Sequence, residues 1–98
     1  MEATVSWKAK ENGGRSAPPL GEGVPPYATM VRFLEPDDPW PPENAWSLVV
    51  EKKLAFDDYN WLADVRFLAE VAPKECLVPG RKFELYEGNK CVATGVVR

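Results

Sequence analysis

Apolar residues recur at every second position in three separate stretches of this chain, and a period of two belongs to strands. Residues 3–9 set Val5, Trp7 and Ala9 on one face against Thr4, Ser6 and Lys8 on the other. Residues 46–51 alternate Trp46, Leu48 and Val50 with Ser47, Val49 and Glu51. Residues 62–72 set Ala63, Val65, Phe67, Ala69 and Val71 against Asp64, Arg66 and Glu70. Segments 27–34, 81–87 and 90–97 are rich in β-branched and aromatic residues, which suit a pleated, half-buried surface. Six strands are predicted, and one helical turn within 54–61.

Proline decides what lies between them. Eight of the ten prolines fall between Pro18 and Pro42, in stretches at 11–26 and 35–45. A proline has no amide to donate to a ladder, so both stretches are read as long loops. Glu87-Gly88-Asn89-Lys90 reads as a type II′ hairpin turn, with Gly88 supplying a positive φ, and Pro79-Gly80 is a further turn signal. The predicted architecture is all-β: a small closed six-stranded antiparallel barrel with two long Pro/Gly-rich loops, in one domain spanning 1–98. At 98 residues there is room for one modest core.

Composition then removes function classes. The net charge is −3, so a strongly basic nucleic-acid footprint is missing. There is no histidine and there are two cysteines, which leaves no imidazole chemistry and no partner to activate a thiol. Cys76 and Cys91 read as reduced thiols beside apolar neighbours. Gly13-Gly14-Arg15-Ser16 is not a phosphate-cradling loop, and no nucleotide or other cofactor is expected. Glu35, Asp37 and Asp38 lack calcium-loop spacing; no metal is expected. Asp37-Asp38 and Asp57-Asp58 read as solvated loop acids, so no catalytic residue is assigned. The absence of a signal peptide and of a long apolar run leads to a cytoplasmic expectation, away from membranes.

Two tryptophans stand out. Trp40, inside Pro-Trp-Pro-Pro, and Trp61, after an acidic loop, each suit the role of capping an open barrel end. Trp40 also suits the role of an aromatic anchor on a proline-stiffened acidic loop, with Asp37, Asp38 and Pro41 as its rim. That gives the leading functional expectation: a non-catalytic module that binds another protein through 35–45 and 11–26.

Two blocks carry a resemblance. Thr4–Phe33 carries Lys-Glu-Asn-Gly-Gly-Arg-Ser-Ala-Pro at 10–18, and Pro25-Pro26-Tyr27 then leads into a strand. Residues 63–97 run from Ala-Asp-Val-Arg-Phe through Phe-Glu-Leu-Tyr-Glu-Gly-Asn-Lys to Val-Ala-Thr-Gly-Val-Val. Together they resemble the C-terminal, third domain of bacterial elongation factor Tu, over roughly two thirds of the chain. The resemblance implies a six-stranded antiparallel barrel of the translation-factor type, without the GTPase domain. In that family the domain contacts an exchange factor and the T-stem of aminoacyl-tRNA. It therefore implies an alternative, a translation-linked tRNA- or RNA-binding role, with Glu87-Gly88 matching one family contact and Lys8, Lys10 and Arg15 as the nearest cations. Pro26 and Glu35 do not match the family's residues at two other contacts, and 34–62 departs altogether.

Overall fold

The computed structural model describes residues 1–9, 27–35, 37 and 46–98. Six strands close into an antiparallel barrel: β1 (Glu2–Trp7), β2 (Tyr27–Phe33), β3 (Ser47–Ala55), β4 (Asn60–Phe67), β5 (Lys82–Glu87) and β6 (Lys90–Val97), in the cyclic order β1-β4-β3-β2-β5-β6. Closure satisfies every strand on both sides and removes the exposed edges that invite aggregation.

Alternation fills the barrel. Ala3, Val5 and Trp7 from β1 meet Leu48 and Val50 from β3, and Ala63, Val65 and Phe67 from β4. Phe83 and Leu85 from β5 are fully buried at the centre. Large side chains buried this way stabilise the fold by roughly 1.5–3 kcal/mol each. The upper mouth, where Trp7 ends β1, is closed by aromatics: Trp7 packs edge-on against Trp61 at 5.0 Å and against Tyr27 at 5.4 Å. Trp61 is buried and caps this end, as its sequence context suggests. The Trp7 indole nitrogen is buried with no hydrogen-bond partner among the described residues. Phe33 fills the lower end between Phe67 at 6.0 Å and Phe83 at 6.4 Å.

The two turns built on glycine follow their chemistry. Gly88 has φ +62 at the first central position between Glu87 and Lys90, while Asn89 is not among the positive-φ residues, as a type II′ turn requires. Gly80 has φ +89 after Pro79, and Arg81 N donates to Val78 O at 3.0 Å, a type II turn.

Three expectations need correction. β4 ends at Phe67, not at 72: Leu68 and Val71 are 63% and 84% exposed, because the chain leaves the sheet for the β4–β5 connection. That connection holds a 3-10 turn at Lys74–Cys76, which has too few residues to show a period in sequence. Residues 54–61 contain no helical turn; β3 runs on to Ala55, the chain bends, and β4 begins at Asn60. The alternation fails there because of a β-bulge between Lys52 and Leu54, where Lys53 has no opposite residue.

Candidate functional site

The bulge organises the β3–β4 hairpin at the upper end. Before it, Lys52 lies on the inward register opposite Ala63 and holds its ammonium 5.5 Å from the centre of the Trp61 ring. The extra residue, Lys53, turns outward and donates to Glu2 Oε2 at 2.7 Å. This pair raises the Lys53 pKa and lowers that of Glu2, chiefly through the hydrogen bond itself. Beyond the bulge, Leu54 faces outward opposite Leu62.

The turn that follows is pinned by one carboxylate. Asp57 Oδ1 accepts from Tyr59 N at 2.8 Å and Asn60 N at 2.9 Å, and Asn60 Nδ2 donates to both Asp57 oxygens at 2.9 Å. These donors hold Asp57 below the usual carboxylate range, with the Tyr59 amide first. β1 holds the same turn from the side: Trp7 N donates to Tyr59 O at 2.7 Å, and Ser6 Oγ donates to Asn60 Oδ1 at 2.7 Å. On this fixed backbone Leu54, Phe56 and Tyr59 are 54%, 58% and 37% exposed. A preordered apolar turn loses little entropy on docking.

The lower end carries a groove of about 380 Å³ between β4 and the β4–β5 connection. Met1, Phe67, Ala69 and Leu77 line it, with Glu70 and Lys74 beside them. Leu68 and Val71 are exposed on the same connection.

The residues singled out from sequence divide between the two ends. Lys8, Glu87 and Gly88 stand at the upper end: Lys8 N donates to Val92 O at 2.8 Å, and Glu87 accepts from the Tyr27 hydroxyl. Asp37 stands at the lower end, accepting from Glu35 N at 3.0 Å, while the Glu35 carboxylate pairs with Lys82 Nζ at 3.0 Å. Lys10, Arg15, Asp38, Trp40 and Pro41 lie outside the described residues. Cys91 lies near the β5–β6 turn and Cys76 in the 3-10 turn of the β4–β5 connection, and no disulfide joins them. Burial pushes the Cys91 thiol up, which opposes nucleophilic use.

Leu54, Phe56 and Tyr59 were not foreseen from sequence. The one usable signal was Asp57 three residues before Asn60, since an aspartate at that spacing ties a turn and leaves its neighbours outside. Among the described residues no cluster of three or more His, Cys, Asp or Glu side chains is placed to hold a metal ion. None of their helices is long and apolar enough to cross a membrane.

Fold and surface together define a small closed antiparallel β-barrel that displays an apolar hairpin at one end. No protein-family model matches the chain, and no curated protein matches it.

Proposed function

We propose that this barrel is a non-catalytic module that binds another protein, and that the β3–β4 turn is its primary contact. The observation that supports this is Phe56, with Leu54 and Tyr59, held in solvent on a turn that Asp57 and β1 fix in place. Aromatic anchors on preordered backbone are the groups that dominate binding energy at interfaces. The loop at 35–45, with Trp40, Asp37, Asp38 and Pro41, belongs to the same reading as a second contact, on its sequence. The barrel is read as the translation-factor type, on its resemblance to the third domain of elongation factor Tu.

The alternative, tRNA or RNA binding through Lys8, Lys10, Arg15, Glu87 and Gly88, has weaker support. Glu87 is engaged by Tyr27, and phosphate binding needs a concentration of cations that a chain of net charge −3 does not offer.

A tagged pull-down from source-cell lysate, with and without ribonuclease, tests the reading. The expected result is a ribonuclease-resistant protein that Phe56→Ser loses and that Trp40→Ala weakens. RNA or translation proteins that vanish on ribonuclease treatment would replace it with the alternative. Capture indifferent to both substitutions would remove these residues from the binding surface.

A further inference from the structure

We infer that the partner of the β3–β4 turn is a second copy of this chain, which receives Phe56 in the groove at its lower end. The inference rests on the protein-binding reading above and names the occupant.

The two surfaces are complementary and cannot meet within one molecule. β3 runs from Ser47 to Ala55 and β4 returns from Asn60 to Phe67, so the turn and the groove lie at opposite ends of the same hairpin. The turn presents an apolar knob. The groove presents an apolar floor of Phe67, Ala69 and Leu77, and its volume of about 380 Å³ lies within the range of roughly 300–1,000 Å³ typical of clefts that bind drug-sized molecules, room enough for one aromatic side chain.

Charge sets the direction of docking. At the turn, Lys53 is paired with Glu2, Lys52 sits over Trp61, and Asp57 is spent on its own backbone. Asp58 is the exposed charge of the turn with no ion pair among the described residues. Near the groove, Arg66 pairs with Glu51 at 3.2 Å, and Lys74 has no ion pair among the described residues. Asp58 of one copy meets Lys74 of the next. Glu70, also on the groove, repels Asp58 and so favours the orientation that turns it toward Lys74.

Because the joined surfaces differ, the contact is heterologous. Each added copy leaves one free turn and one free groove, so assembly continues until a ring closes or a filament forms.

Analytical ultracentrifugation over a concentration series at low salt tests this. The expected result is a mass that rises past the dimer, with Phe56→Ser and Lys74→Glu each weakening association roughly tenfold or more. Both positions are on the surface, and unchanged melting curves will verify that the variants fold. Mixing the two variants is the decisive step. The intact turn of Lys74→Glu enters the intact groove of Phe56→Ser, and the mixture forms dimers that neither variant forms alone. A monomer at every concentration, a mixture that stays monomeric, or a two-fold dimer indifferent to Lys74→Glu would each overturn the inference. A monomeric chain that still captures a different protein through Phe56 would overturn self-assembly alone and leave the binding reading standing.

Discussion

The ring of Phe83 lies directly over Gly95, its cross-strand partner on β6. A Cβ at position 95 would stand 2.6 and 2.8 Å from the two Cε atoms of that ring, and closer still to Cζ. Phe83 is fully buried, so the ring has nowhere to go. The glycine is there for space, since its φ lies outside the left-handed region. Gly95→Ala is expected to destabilise the barrel by about 1–3 kcal/mol, the range for overfilling a packed core. Denaturant unfolding of Gly95→Ala, Phe83→Leu and the double variant checks the cause. The double variant should lose less than the sum of the two single losses; strict additivity would mean that the two residues do not compete for this volume.

Gly88 makes the contrasting case. Nothing lies within 4 Å of where its Cβ would be, and its φ is +62. Gly88→Ala is therefore expected to cost about 1 kcal/mol through the backbone alone. Inserting D-alanine by ligation, which favours positive φ, should restore the melting temperature. Equal losses for both enantiomers would point to a contact and not to the dihedral.

Asp57 ties the proposed binding turn, so Asp57→Ala should lower the melting temperature and speed hydrogen exchange at the Tyr59 and Asn60 amides. The pH dependence has a definite sign. The folded-state pKa is depressed, so the stabilisation is fully present above the ordinary aspartate value. It fades as pH falls below that value and through the lower folded one. The gap between wild type and variant should close over that acidic window, and a pH-independent gap would assign the loss to packing.

The Tyr86 phenol resists ionisation. Burial first, and then its hydrogen bond to Glu84 Oε1 at 3.0 Å, push its phenol up to about 12. Ultraviolet titration should resolve a late phase near that pH, absent in Tyr86→Phe. A raised folded pKa gives stability that is intact below the unfolded value of about 10 and is lost as pH climbs through about 12. The absence of any late phase would mean that neither the burial of Tyr86 nor its Glu84 contact persists in solution.

Where the chain obeys a strict period, the strands were legible before any coordinates. Val5 and Trp7, or Val65 and Phe67, could face only one way once one of each pair faced the core. At 27–34, 81–87 and 90–97 composition showed a strand without showing its facing, and on β6 and β3 a bulge broke the alternation. On β6, Leu85 opposes Ala93 and Tyr86 opposes Cys91, so Val92 is the extra residue; Val92 and Ala93 are both fully buried. On β3 the same device placed Lys52 and Lys53 in succession and made a continuing strand look finished. Ala69 and Val71 misled in the opposite sense, since apolar alternation can outlast the sheet that gives it meaning. The turn residues Leu54, Phe56 and Tyr59 were illegible for a related reason: they are apolar and exposed, and pattern reading sends apolar residues inward. The Trp40 reading lies outside the described residues and rests on its sequence alone.

The order of strands around the barrel also governs when the molecule can exist during its own synthesis. β1 has no neighbour in sequence among its neighbours in space: it lies between β4 and β6, with Ala3 opposite Ala63 on one side and Val97 on the other. The first strand of the barrel is thus completed by the last, and the entropy of closing so long a loop must be met before the β1–β6 ladder offers any return. A ribosome-held chain that has released β1 through β5 still has a gap where β6 belongs. Its first strand must wait half-paired, and the seam closes only after Val97 has left the exit tunnel.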